Sequence, residues 1–421
     1  MHNPIHSAKT SLLQLLETSP FLRIPARSAL SAARGTRYFF RTVSIPVSEH
    51  SVVFSAYQGR AYACSPKAIY EYMRSDPKFK DFHYTWVLKE PEQYPFLLEN
   101  RNTRIVKPDT LEFEQALASS KYWIFNFRTA DYLRPRRGQV YIQCWHGTPF
   151  KRLGCDIHLT GASFNTLPEI RRRYHTDAKR FHYLLSPSPA ATQKFISAWD
   201  LNALLPPLSI LEIGYPRDDI LIQNPPAAQM FREALSLPPG KKVILYAPTW
   251  RDDQHQAGVG YTYRPAVDFS LLQKLLSDDF VILFRAHYLI ANRFDFSRYQ
   301  GFLYDVSHVD DINTLYLISD LLVTDYSSVF FDYANLRRPI LFYMYDLPRY
   351  ENELRGFYLE KEALPGPIVQ TETELADAIR RCTDQFEYDE TYQSFNNTYN
   401  RLNDGHAAER LVKICMESTG Q

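Results

Sequence analysis

The 421-residue sequence predicts an α/β protein of two domains, each a parallel sheet covered by helices on both faces. Three observations carry that expectation. Short apolar runs such as Val52-Val53-Phe54, Val243-Ile244-Leu245-Tyr246 and Leu321-Leu322-Val323-Thr324 recur along the chain, with helical patterns between several of them. In the second half every such run delivers polar or charged residues at its C-terminal end, where open α/β sheets gather their active groups. The pattern breaks at Ile213-Gly214-Tyr215-Pro216-Arg217-Asp218-Asp219, followed closely by Asn224-Pro225-Pro226, which reads as the connection between the domains.

Composition narrows the function classes. A net charge of +1 argues against a nucleic-acid binder, so any anion preference must come from local charge. Five scattered cysteines, with no C-x-x-C spacing, fit a reducing compartment better than a disulfide framework. No apolar run reaches the length of a membrane span, and Leu12 to Leu16 is too short for a signal-peptide core. A cytoplasmic protein is expected.

Residues 1–48 form a basic amphipathic segment. A short helix around Leu12 to Leu16 stops at Ser19-Pro20, and a second helical pattern follows Pro25. Arg27, Arg34, Arg37 and Arg41 fall on one face of it, with aromatics nearby, and Glu17 is the one acid between Met1 and Ile45. Such a face suits an anionic membrane surface, through residues 1–45. The alternatives are a helix packed on its own domain or a disordered arm.

Residues 49–215 read as the first α/β domain, with strands at Val52–Phe54, Tyr84–Leu88, Arg104–Val106, Lys121–Phe125 and Gln139–Cys144, and a helix from Pro66 to Met73. The last of these strands runs into Trp145-His146-Gly147-Thr148-Pro149. A histidine at a strand end, before a turn that glycine permits, is better placed for general-base work than for packing. Residues 216–394 read as the second domain, with strands at Val243–Tyr246, Phe280–Phe284, Leu303–Val306, Leu321–Thr324 and Ile340–Tyr343. Gln256 to Val267 lacks periodicity and reads as an active-site loop. Residues 395–421 are helical and can cross back onto the first domain.

The stretch Leu321 to Asp332 is central. A buried strand enters a tight turn, Asp325-Tyr326-Ser327-Ser328, and a helix from Val329 to Leu336 follows. Unpaired N–H groups at a helix start attract phosphate, and two serine hydroxyls add donors; an ordinary capped helix has the same pattern. Arg251, Arg285 and His287 sit at neighbouring strand ends and can join around a diphosphate. The Asp-Asp pairs at 218–219, 252–253 and 310–311 can hold Mg²⁺, cap loops or meet a ribose. The dinucleotide, P-loop and zinc signatures are all missing from the sequence.

Five motifs now fall in order: Trp145-His146-Gly147-Thr148-Pro149, Tyr246-Ala247-Pro248-Thr249-Trp250-Arg251-Asp252, Arg285-Ala286-His287-Tyr288, Thr324 to Asp332, and Leu354-Arg355-Gly356-Phe357-Tyr358. Together, over about Val52 to Leu411, they resemble the CDP-glycerol glycerophosphotransferase family of teichoic acid polymerases and primases. The resemblance implies a GT-B fold, two Rossmann-like domains facing a central cleft. It implies inverting, metal-independent transfer of a polyol phosphate from CDP-glycerol or CDP-ribitol to a hydroxyl, with CMP released and no further cofactor. The acceptor would be a surface polymer or its lipid-linked precursor, met on the cytoplasmic face of a bacterial membrane. By motif position, His146 looks like the general base and His287 a second catalytic group. Arg251, Arg285, His287, Ser327, Ser328, Asp311 and Asp332 fall on the donor side, and His146, Thr148, Lys151 and Asp156 on the acceptor side. Cys155 departs from the family pattern, standing where an aromatic is usual. A GT-B sugar transferase with a nucleotide-sugar donor and a non-catalytic scaffold are the competing readings.

Overall fold

The computed structural model describes residues 19–158, 165–204, 208–223, 227–249, 255–256, 260–261, 267–285, 294–348 and 356–417. The first sheet has seven strands: β1 (Ser48–Ser55), β2 (His83–Val87), β3 (Thr103–Val106), β4 (Ser120–Phe125), β5 (Val140–Gln143), β6 (Tyr183–Ser186) and β7 (Ser209–Glu212). Their order is β3-β2-β1-β4-β5-β6-β7, and every pairing is parallel. After β8 (Lys242–Ala247), two short antiparallel strands, β9 (His255–Gln256) and β10 (Gly260–Tyr261), overlap the stretch expected to be a loop. The second sheet adds to β8 the strands β11 (Phe280–Phe284), β12 (Leu303–Asp305), β13 (Leu321–Thr324), β14 (Ile340–Tyr343) and β15 (Ile368–Val369). It is also parallel, in the order β12-β11-β8-β13-β14-β15.

Both sheets reverse direction once, between β1 and β4 and between β8 and β13. The connections from the two flanking strands diverge at such a switch point, so a crevice opens beyond the strand ends. In the second sheet the helix after β8 packs on one face with Phe269 and the helix after β13 on the other with Phe330. Tyr57 and Asn126 stand at the first crevice, Pro248 and Ser327 at the second.

Side chains alternate along each strand into two cores. Val52 and Phe54 pack on one face of the first sheet with Tyr70 and Trp86, and Val53 on the other with Trp123 and Trp199. In the second sheet Val243 and Leu245 join Phe330 and Phe395, while Ile244 and Tyr246 join Phe269 and Leu341. Phe150, from the first domain, is buried in the second domain's core, stacked on Phe357 with centroids 4.6 Å apart. Burying such a side chain contributes about 2–3 kcal/mol toward holding the domains together. The chain end adds a second tie. Leu411, Val412 and Cys415, from the helix Ala407–Val412 and the turn after it, lie in the first domain's core. Asp219 accepts from the amides of Ala407 and Ala408 at 2.9 Å each, fixing that helix's start.

The N-terminal helix spans Pro20–Thr42, with Pro20 in its first turn, where a missing N–H costs nothing. Residues 1–18, including Leu12 to Leu16, lie outside the described residues. Of the arginine stripe expected to suit lipid, Arg27, Arg37 and Arg41 reach acceptors on the first domain, while Arg34 is exposed. Arg23 grips Glu169 through two bonds of 3.0 and 2.6 Å, and Arg37 and Arg41 meet Glu114 at 2.9 and 3.1 Å. Both carboxylates are buried and would be costly without a cation, which is why the basic face turns inward. The apolar face is left outside: Phe21 is 90% and Phe40 73% exposed, with Leu22, Phe39 and Val43 beside them.

Candidate active site

A cleft of about 1840 Å³ runs between the domains. Its floor is built from strand ends. The chain leaves β5 through Trp145, whose φ of +50° lies in the left-handed region. That conformation costs a bulky residue about 1–3 kcal/mol and is held by its surroundings. The Trp145 amide donates to Gln143 Oε1 at 3.0 Å and its ring packs edge-on to Trp199. The turn carries His146 to the cleft. Tyr57, Gln58 and Cys64, in the segment after β1, also have positive φ, so backbone strain gathers on this wall.

His146 Nδ1 lies 2.7 Å from the Asn126 carbonyl at the end of β4. A carbonyl only accepts, so Nδ1 carries the proton and Nε2 keeps its lone pair. The ring is exposed and lines the cleft. Desolvation by the surrounding protein, with a lesser push from the Arg217 charge, brings its pKa down to about 4 against the opposing Asn126 bond. At neutral pH it is an unprotonated base.

Gly147 follows at once. A Cβ there would lie 2.7 Å from Ser328 Oγ, so the present Ser328 rotamer depends on the bare glycine where the two domains approach. His146 is thereby brought to the Ser327-Ser328 turn. The helix after that turn is shorter than the sequence suggests: Val329–Tyr333 is α-helical and Ala334–Leu336 is a 3₁₀ turn. Ser328 makes no side-chain capping bond, which leaves its hydroxyl to the cleft. Asp325 holds the turn by accepting from the amides of Tyr326 at 2.6 Å and Thr249 at 2.8 Å, tying the ends of β13 and β8 together.

Arg217 is the residue that sequence reasoning missed. In the charged run after an apolar strand it reads as a solvated connector, yet it is 5% exposed and lines the cleft. It donates to Asp332 at 2.7 Å, sits 3.5 Å from Asp218 and lies 4.5 Å over the Tyr215 ring. One cation between two buried carboxylates leaves an excess negative charge. Burial, and then Asp332 beside it, hold the Asp218 carboxyl well above the usual carboxylate range. Asp332 thus orients a basic group.

Of the other expected donor-side residues, Arg285 lines the cleft, but its guanidinium donates to the carbonyls of Val309 and Asp310. Asp311 pairs with Lys67 of the first domain at 2.6 Å and caps its own helix. Asp310 accepts from the Tyr62 amide at 3.1 Å and the Tyr94 hydroxyl at 2.7 Å. This acidic pair joins the domains. Arg251 and His287, with the 252–253 pair, lie outside the described residues.

The acceptor-side residues other than His146 do not line the cleft. Thr148 is buried, and Lys151 pairs through its backbone with Phe357. Asp156 accepts from the hydroxyls of Ser197, at 2.5 Å, and Tyr358. They belong to the seam through which Phe150 enters the second domain, because the chain after Pro149 pairs with Gly356–Tyr358 rather than following the cleft wall.

Two parallel-sheet domains meeting at their switch points, with a neutral histidine on one side and hydroxyls on the other, define a GT-B protein. Residues 37–417 match the family described as CDP-glycerol:poly(glycerophosphate) glycerophosphotransferase, and the chain belongs to that family. It is 39% identical over 370 residues to the teichoic acid poly(glycerol phosphate) polymerase of Staphylococcus epidermidis, covering 87% of this chain and 50% of that protein. It is 37% identical to the teichoic acid glycerol-phosphate transferase of Staphylococcus aureus, covering 89% and 95%. The chain therefore spans about half the length of some relatives and nearly all of others. A structure of the wall teichoic acid polymerase TagF, a histidine-to-asparagine form soaked with CDPG, superposes with a TM-score of 0.81 at 35% identity, covering 95% of this chain and 98% of that one.

Proposed function

We propose that the protein transfers glycerol phosphate from a CDP-activated donor to a hydroxyl of a surface polymer or its lipid-linked precursor, releasing CMP. The observation that carries this is the meeting of His146-Gly147 with Ser327-Ser328 at the switch points of the two sheets. The choice of glycerol over ribitol is supported by the names of the two relatives just described.

In this reading His146 Nε2 takes the proton of the acceptor hydroxyl. The oxygen attacks the β-phosphorus, and the bond from that phosphorus to the CMP oxygen breaks. Charge grows on the phosphoryl oxygens, where Ser327 and Ser328 hydroxyls, with Arg251 and His287 by motif position, stabilise it. The reaction is proposed to need no metal: Asp219, Asp310 and Asp311 are engaged by amides, hydroxyls or Lys67, leaving cationic side chains to meet the diphosphate.

No helix among the described residues is long and apolar enough to cross a membrane. We propose peripheral attachment at the cytoplasmic face, supported by the exposed apolar face of the helix Pro20–Thr42. Incubation with CDP-glycerol and CDP-ribitol, with and without acceptor and chelator, tests the reading. Acceptor-dependent CMP release from CDP-glycerol that survives EDTA is expected. Loss with EDTA and recovery with Mg²⁺ would refute metal independence, and no CMP release from either CDP-polyol would refute the donor class.

A further inference from the structure

Outward from His146 the cleft continues along the first domain, between the helices Pro20–Thr42 and Leu167–Ala178. That wall is basic. Arg27, Arg34, Lys89, Arg134, Arg172 and Arg173 line it. Across the described lining of the whole cleft there are ten arginines and lysines and six acids, although the chain carries only +1. The acids do not offset the wall evenly, since Glu169 is already gripped by Arg23, and Asp131 lies within 4.0 Å of Arg128 and Arg180. The crowding shows in two groups. Desolvation and then Arg60 hold the Lys89 ammonium below its ordinary range; desolvation and then Arg128 and Arg27 do the same to the Arg173 guanidinium. A concave surface with surplus fixed positive charge attracts and concentrates anions.

We infer that this wall is a track for a polyanionic acceptor, a chain of phosphodiesters threaded from the cleft mouth toward His146. The inference rests on the proposed transferase reading and adds where the acceptor lies. A thread fits the geometry better than a bilayer does. The wall is inside a cleft, which a flat surface cannot follow, and the outer side of the same helix already presents Phe21 and Phe40 to solvent. The track also gives the acceptor a path to the base without Thr148, Lys151 or Asp156.

The test uses Arg34, Lys89 and Arg172, all exposed and none assigned to the catalytic or donor-binding groups. Calorimetric titration compares the full chain with Arg34→Gln/Lys89→Gln/Arg172→Gln. The probes are glycerol-phosphate oligomers of one and of many repeats, CDP-glycerol, and vesicles of phosphatidylglycerol. Wild type should bind the long oligomer more tightly than the short one, with steep salt dependence. The triple variant should lose about 10–100-fold in affinity for the long oligomer, the summed effect of three exposed charge pairs, and keep its CDP-glycerol affinity. Equal binding of long and short oligomers by wild type, or of the long oligomer by wild type and variant, would overturn the track. So would a loss confined to vesicle binding, which would make the wall a lipid contact. Failure of wild type to bind CDP-glycerol would remove the transferase reading, while the oligomer titrations would still decide whether the wall binds polyanions.

Discussion

Gly147 and Ser328 touch across the cleft: a Cβ added to Gly147 would stand 2.7 Å from Ser328 Oγ and 3.6 Å from its Cβ. Only the hydroxyl is in the way, so Gly147→Ala can be accommodated by turning Ser328 out of its present rotamer. The variant should melt within a few degrees of wild type and lose up to about 10²–10³-fold in kcat, the scale of a lost transition-state donor. A thermal scan with steady-state kinetics checks both. Wild-type kinetics would mean that the Ser328 hydroxyl plays no part in the reaction.

Arg217 is held by buried carboxylates, so its loss should act first on stability. Arg217→Met strands Asp332 in the domain seam and should cost about 3–5 kcal/mol. Arg217→Met/Asp332→Leu removes both charges and should recover much of that loss. Urea unfolding of the two variants measures the difference. Equal destabilisation would show that the pair is not a unit.

The depressed His146 pKa has a definite sign. The unfolded imidazole titrates near 6.5 and the folded one near 4. Between those values the unfolded chain binds the extra proton, so this group's contribution favours unfolding as pH falls from 6.5 to 4 and is constant above 6.5. Relative to His146→Gln, wild type should lose stability across that window. For activity, kcat/KM should show no His146-linked acid limb until pH approaches 4. A limb centred near 6.5 in wild type and missing from active-site controls would show that the ring is not desolvated.

The outward apolar face of the N-terminal helix predicts separable effects. Phe21→Ser/Phe40→Ser should release the protein from anionic vesicles with little change in melting temperature, because both rings are exposed. Arg37→Ala/Arg41→Ala should instead destabilise the fold, since Glu114 would be left buried without its partners. Vesicle flotation paired with thermal melts distinguishes them. Flotation unchanged by the Phe pair would remove this face from membrane binding.

These cases show what a sequence exposes and what it conceals. Phe280–Phe284, Leu321–Thr324 and Ile340–Tyr343 are strands at the bounds their apolar runs suggest, because a strand buried on both faces has no polar interruption. Tyr183–Ser186 escaped notice: four residues following Phe181-His182 form no distinct run. His146 was legible because strand-end placement is local information. Arg217 was not, because a charged run after Gly and Pro looks solvated until the partners Asp332 and Tyr215 close around it. The arginine stripe of Pro20–Thr42 was visible but its direction was not, since direction depends on Glu114 and Glu169, far away in sequence. Thr148, Lys151 and Asp156 follow His146 in sequence but turn away with Phe150 into the seam.

In the proposed reaction His146 is the base that activates the acceptor. The most direct measurement is acceptor-dependent CMP release from CDP-glycerol by wild type and His146→Ala, alongside CDP-glycerol affinity by calorimetry. Removal of the base should lower turnover about 10²–10⁴-fold. Donor affinity should stay close to wild type, since His146 stands on the opposite domain from the donor-side serines. Near wild-type turnover in His146→Ala would contradict the account, and so would a loss of turnover fully explained by weaker donor binding.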